Sequence, residues 1–155
     1  MTVQPPRDGA TRKQHVLHLL ASEIDAWVAT ADEQGEVCQI PLSFLWHDGR
    51  LVFATPEGSA TGRNLARSGR VRLALGATRD VVLIQGTVTA VASADLEAAV
   101  GDAFAARHTW DPRADTAGKA GSYAFYFVTP LTVQAWREAN ELKGRTLMRD
   151  GAWLV

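Results

Sequence analysis

The sequence predicts a mainly β domain, an antiparallel barrel or sandwich with helices inserted into it. Three observations predict it. Apolar and polar residues alternate through Val37 to Trp46 and again through Val71 to Leu75, the period of a half-buried strand. Neighbouring runs are joined by short turns such as Asp48-Gly49, which signal hairpins rather than long crossovers. There is no regular strand–helix–strand repetition and no G-x-G-x-x-G motif, so a dinucleotide-binding α/β fold is not expected.

Each element follows from local chemistry. Residues 1–10, with Pro5, Pro6, Asp8 and Gly9, read as a flexible tail, and residues 11–155 as a single domain. A helix is expected from Thr11, because Val16, Leu19, Leu20 and Ile24 fall on one helical face. Ala26 to Thr30 reads as a strand and Asp32 to Gly35 as a turn. In the strand Val37 to Trp46, Cys38, Ile40, Leu42, Phe44 and Trp46 share one face, and Gln39, Pro41 and Ser43 the other. The hairpin at Asp48-Gly49 leads into Leu51 to Ala54. A short helix follows Ser59, then strands at Val71 to Leu75 and Val81 to Val91, where Gly86 marks a bulge or a close approach. Ser93 reads as the N-cap of a helix with Asp95 and Glu97 in its first turn and Leu96, Val100 and Phe104 on its buried face. Thr109 to Gly121 is a long, lid-like loop. Tyr123 to Val128 and Leu131 to Trp136 read as strand, with Pro130 marking an edge or bend. The charged tail Arg137 to Val155 ends in an apolar turn.

Composition narrows the function classes. A chain of 155 residues, 46% hydrophobic and 21% charged, has room for a real core. A net charge of -1 gives no general pull toward nucleic acid or an anionic membrane. No apolar run reaches bilayer length and the N-terminus has no apolar signal core, so a cytoplasmic location is expected. Cys38 is the only cysteine, which excludes an internal disulfide and a paired-cysteine metal site. His15, His18, His47 and His108 do not form a metal-ligand spacing, and no G-x-S-x-G nucleophile motif is present. Lysine stands only at Lys13, Lys119 and Lys143, so the arginine excess reads as codon usage of a GC-rich genome.

The most informative stretch is Leu51 to Leu75. A strand ends at Thr55, a turn of Pro56, Glu57, Gly58 and Ser59 follows, and a helix begins. The first N–H groups of a helix lack intrahelical partners and carry partial positive charge, which suits an anion. Thr55, Ser59 and Thr61 carry hydroxyls, Arg63 a formal charge and Asn64 an amide. The same residues also make an ordinary capped strand–turn–helix link. Pro41 within a strand belongs at an edge or where the backbone meets something else, which puts Pro41, Leu42 and Ser43 beside a ligand or at a protected sheet edge. In the tail, Arg145 and Arg149 are four residues apart after Trp136, a pattern suited to anion recognition, with Glu138, Glu141 and Asp150 near enough in sequence to pair with them. Trp110, beside Asp111-Pro112-Arg113, is placed to cover a planar ligand.

Three segments together resemble the pyridoxamine 5′-phosphate oxidase-like family of split β-barrel flavoproteins, which includes enzymes of the deazaflavin coenzyme F-420. They are AWVATADEQGEVCQIPLSFLWHDGRLVFAT, GSATGRNLARSGRVRL and the tail AW…GRTLMR. The resemblance implies a six-stranded antiparallel split β-barrel. It implies a cofactor ring, of FMN or deazaflavin, along Pro41, Leu42 and Ser43. It implies cofactor phosphate near Thr55, Ser59, Thr61, Arg63 and Asn64. Trp136 and Arg149 match the tryptophan and second arginine that serve flavin, and Arg145 the arginine that serves an anionic substrate. The oxidases carry an Arg-Lys pair where this chain has Ala60 and Thr61, and Arg63 is the cation half a turn on. Family members are homodimers with cofactor sites at the subunit interface, and the same is expected here.

The expected function is therefore an FMN- or deazaflavin-dependent oxidoreductase that moves a hydride to or from a small molecule. In such a site the cofactor carries the chemistry and the protein supplies orientation and electrostatics. The alternative is a split barrel that binds flavin or haem without turnover, in a regulatory role.

Overall fold

The computed structural model describes residues 3–115 and 121–155. The chain forms α1 (Gly9–Ser22), β1 (Asp25–Ala31), β2 (Val37–His47), β3 (Arg50–Pro56), α2 (Ala60–Ser68), β4 (Arg70–Leu75), β5 (Val81–Ala92), α3 (Ala98–His108), β6 (Tyr123–Trp136), β7 (Thr146–Arg149) and β8 (Ala152–Trp153). The strands run in the order β3-β2-β1-β4-β5-β6-β7-β8, all antiparallel, and β3 also pairs with β6. That pairing closes β1 to β6 into a six-stranded barrel, as the family resemblance implies, with β7 and β8 as a small appended hairpin.

Alternation decides what fills the barrel. Phe44, Phe53, Leu73, Ile84, Tyr126 and Val133 form its interior, joined by Val16 and Leu20 from α1 and Leu65 from α2. On the outside, Val52, Ala54, Phe125 and Phe127 are covered by Val100 and Phe104 of α3. β3 is therefore buried on both faces, which explains its continuous apolar run. Asp48 and Gly49, at φ 50° and 73°, make the left-handed turn that joins β2 to β3.

Several elements differ from expectation. α1 begins at Gly9 because the Asp8 side chain caps it, accepting from the Thr11 N–H at 2.7 Å. It ends at Ser22, so Ile24 lies outside the helix and is 46% exposed. Ser93 does not cap α3. It opens a 3-10 turn over Ser93–Asp95, its hydroxyl donates to the Tyr123 carbonyl at 2.8 Å, and α3 starts only at Ala98. Pro130 lies within β6 opposite Gly86, where the register shifts by one residue and a Cβ on Gly86 would stand 2.5 Å from the Thr129 carbonyl oxygen. The bulge and the close approach thus occur together, and only glycine permits the second. Arg137 to Val155 is not all tail, since it supplies β7 and β8.

The N-terminal approach is anchored. Arg7 makes a two-pronged ion pair with Glu141, at 2.9 and 2.7 Å. Arg12 is buried on the inner face of α1 and donates to the carbonyls of Arg7, Glu141 and Gly144. Among the described residues no helix is long and apolar enough to cross a membrane.

Candidate cofactor site

The site is built by a fork between two strands. β2 pairs with β3 only from Phe44 to His47, whereas its earlier half, Val37 to Ser43, pairs only with β1. β3 continues past the fork as Ala54, Thr55 and Pro56, held on its other side by Ala124 and Tyr123 of β6. Both strands thus present edges without a strand neighbour. Pro41, which has no N–H to donate, sits on the open stretch of β2.

A hollow of about 280 Å³ lies there, lined by Asp25, Pro41, Leu42, Ser43, Thr55 and Pro56 together with Trp110 and Tyr123. The structure therefore brings the expected ring-side residues Pro41, Leu42 and Ser43 together with Thr55. The Leu42 side chain packs against the barrel core, so it meets the hollow along the strand. The Ser43 hydroxyl donates to Asp25 Oδ1 at 2.7 Å across the β1–β2 rung. The far wall is aromatic: Trp110 meets Tyr123 edge to face at 5.2 Å, and Phe104 backs Trp110 at 6.2 Å.

Trp110 is held from several sides. Its indole N–H donates to Asp115 at 3.0 Å. Asp111 caps the 3-10 turn Pro112–Ala114, and Arg113 reaches back to Asp102 on α3 at 2.9 Å. His108, in the last turn of α3, bonds the Phe44 carbonyl through Nε2 at 2.9 Å, which ties α3 to β2 at the fork. Its Nδ1 is buried without a partner. Burial pushes the His108 pKa down, against the Phe44 carbonyl that favours the charged form. Of the lid-like loop Thr109 to Gly121, residues 116–120 lie outside the described residues. The preceding part is folded against α3.

The turn before α2 is less open than its hydroxyl content suggests. Ser59 caps α2: its Oγ accepts from the Gly62 N–H at 3.0 Å and donates to the Pro56 carbonyl at 2.7 Å. It also stands 3.3 Å from Thr55 Oγ1. Thr61 is 1% exposed, with Oγ1 3.6 Å from Cys38 Sγ, and Asn64 donates to Thr30 Oγ1 at 3.1 Å. Both side chains are spent under the helix, because positions i and i+3 of α2 face the barrel. Arg63 is exposed and bonds the Gly58 carbonyl. Arg63 and the N–H groups of Ala60 and Thr61 are left to meet an anion, while Thr55 is itself 3% exposed and Ser59 is engaged by the cap.

Trp136, Arg145 and Arg149 stand elsewhere. Trp136 ends β6, at the opposite end of that 14-residue strand from Tyr123. The Arg145 guanidinium lies 5.9 Å from the Trp136 ring and donates to the Leu142 carbonyl. Arg145 precedes β7 and Arg149 ends it, roughly 13 Å apart at strand rise. Glu138 and Glu141 turn instead to Arg79 and Arg7. Among the described residues no carboxylate pairs with Arg145 or Arg149, so neither belongs to the ion-pair network that the tail sequence allowed. The sequence reading missed the fork's far wall at Tyr123 and the clamp at His108.

A family model described as pyridoxamine 5′-phosphate oxidase matches residues 13–137. No curated protein matches the chain. Solved structures do. One named F420 Reductase is 17% identical, covering 75% of this chain and 93% of its own, with a TM-score of 0.60. A pyridoxamine 5′-phosphate oxidase-related, FMN binding protein from Nostoc punctiforme is also 17% identical, covering 90% and 87%, with a TM-score of 0.54. A Clostridium acetobutylicum protein related to general stress protein 26 is 15% identical, covering 85% and 92%, with a TM-score of 0.60. At these identities the likeness is one of fold.

Proposed function

The chain belongs to the pyridoxamine 5′-phosphate oxidase family, and from that premise we propose that it binds FMN or deazaflavin coenzyme F-420 and uses it as an oxidoreductase. The carrying observation is the fork: open edges of β2 and β3 face an aromatic wall across one hollow. A planar heteroaromatic ring suits that geometry. Backbone groups along Pro41 to Ser43 hydrogen-bond its polar rim, and Trp110 and Tyr123 pack against its apolar part. Arg63 and the start of α2, beside Thr55 and Ser59, then face the cofactor phosphate.

When bound, the cofactor supplies the hydride chemistry. The chain's own residues position it and keep water from its ring. Asp25 is the carboxylate in the hollow's lining, held by Ser43.

The hollow lies at the lower edge of the usual size of small-molecule sites, about 300–1,000 Å³. Trp136, Arg145 and Arg149 are not among its lining residues. Both facts fit a homodimer in which a second copy brings that end of β6 and β7 over the fork. Trp27, 51% exposed on β1 directly beside Pro41, is an apolar contact available to such a partner. A small anionic substrate then meets Arg145. A cytoplasmic setting is proposed with it.

A second reading is a cofactor carrier without turnover. Ala60 and Thr61 at the start of α2 favour it, because they leave Arg63 as the side-chain cation of the cradle. Titration with FMN and separately with coenzyme F-420, followed by tryptophan fluorescence, tests the proposal. Saturable micromolar binding of one, followed by reduction of the bound cofactor and reoxidation by a small-molecule acceptor, is expected. Binding without turnover favours the carrier; binding of neither contradicts the oxidoreductase and leaves the carrier to be tested with haem.

A further inference from the structure

A second hollow, about 670 Å³, opens on the outer face of the barrel, away from the fork. Its basic side is Arg67 from the last turn of α2 with Arg70 and Arg72 from β4. Arg70 and Arg72 are two residues apart on one strand and both exposed, so they share a face at about 7 Å spacing. Beside them, Ala29 and Ala31 of β1 have side chains too short to fill the space, which makes the floor.

The charge state of this groove sets it apart. Arg7, Arg79, Arg113 and Arg137 each pair with a carboxylate. The groove arginines do not. Arg67 donates to the Ala31 carbonyl at 2.8 Å, and Arg72 to the Gln85 side-chain oxygen at 3.0 Å. Those neutral acceptors orient two guanidiniums without neutralising them, and leave further N–H donors on each. Among the described residues Arg70 has no acidic partner, and no carboxylate lines the groove. The acids of the β1–β2 turn, Asp32, Glu33 and Glu36, are not among its lining residues; Asp32 is occupied by the N–H groups of Gln34 and Glu36.

We propose that this groove is an oligophosphate-binding site, separate from the cofactor fork. The two outer phosphates of a triphosphate chain, rather than neighbouring ones, approach the spacing of Arg70 and Arg72, and each offers oxygens to a guanidinium fork. Arg67 closes one end, and the alanine floor lets the ligand lie flat.

The test is calorimetric titration of the intact protein with sodium tripolyphosphate at low ionic strength. Wild type is expected to bind saturably, and Arg70→Ala/Arg72→Ala to bind at least tenfold more weakly. Both side chains are exposed, so melting temperature is expected to hold; Arg70→Lys/Arg72→Lys, keeping charge but not the fork, is expected to fall between. Arg63→Ala, at the start of α2, is expected to leave tripolyphosphate affinity unchanged. Absence of saturable binding, equal affinity in wild type and the double alanine variant, or loss of binding with Arg63→Ala instead would each overturn the assignment.

Discussion

Trp110 and Tyr123 meet edge to face at 5.2 Å and form the aromatic wall opposite the open edge of β2. The two residues come from different elements, one following α3 and the other opening β6. The wall therefore exists only when α3 is docked on the barrel. Trp110→Ala is expected to weaken flavin binding about tenfold, or about 1.4 kcal/mol. It also loses the aromatic pair, about 0.5–1.5 kcal/mol of stability. Parallel fluorescence and urea titrations separate the effects, and unchanged cofactor affinity removes the wall from the site.

Gly62 fixes the cradle by being small. A Cβ there would stand 2.5 Å from the Pro56 carbonyl oxygen and 2.7 Å from that of Glu57, both backbone atoms. Gly62→Ala is expected to cost about 1–3 kcal/mol and to weaken cofactor binding, since α2 must lift from the turn bearing Ser59. Denaturant midpoints check the first. A variant as stable as wild type shows that the turn and helix are not locked together.

Arg12 holds the loop that carries Arg145. Its guanidinium is buried and serves the carbonyls of Arg7, Glu141 and Gly144. Arg12→Met leaves these acceptors without a donor, and a loss of about 3 kcal/mol is expected. Arg12→Lys is expected to recover only part, because an ammonium lacks the fork. Full recovery by lysine contradicts this role.

Acid stability has a named source. Glu141 is nearly fully buried, and its bond to the Arg7 side chain lowers its pKa from the usual 4.5 to about 2. A depressed carboxylate pKa gives stability that is complete above the unfolded pKa and lost as pH falls through the folded one. The contribution, about 3 kcal/mol, is expected to fade between about pH 4.5 and pH 2. In Glu141→Gln the melting temperature is expected to fall less steeply over that window; a slope equal to wild type's sinks the linkage.

His108 works at milder pH. Burial lowers its pKa, so the folded state prefers the neutral ring bonded to the Phe44 carbonyl. With the folded pKa below the unfolded one, stability is full above about pH 6.5 and declines as pH drops below it. The clamp ties α3 to the strand bearing Ser43, so cofactor affinity is expected to fall in the same window. A pH profile unchanged in His108→Gln contradicts the clamp.

The barrel was legible because its signals are local. Alternation through Val37 to Trp46 and the Asp48-Gly49 turn need no distant information, and β2, its hairpin and β3 follow from them. β7 and β8 are too short to show a period. Ile24 continues the helical spacing, yet α1 stops at Ser22 because Glu23 is extended. In the site, Pro41 announced a strand edge. The fork is a pairing choice between β2 and β3 that no single segment records. Arg12 stands four residues before Val16 on the inner face, and that charge on an apolar stripe was the available sign of a buried anchor. Thr61 and Asn64 look like cradle residues until the rotation of α2 is known, and that rotation is set by packing on β1 and β2.

Hydrogen–deuterium exchange, with and without saturating cofactor, tests the central claim most directly, because the open edge of β2 has exchangeable amides that no strand covers. Slowed exchange is predicted at Gln39 and Ser43, whose N–H groups alternate away from β1, and at the start of α2. Bound cofactor with unchanged exchange at Gln39 and Ser43, or with protection confined to other faces of the barrel, would contradict the placement of its ring in the fork.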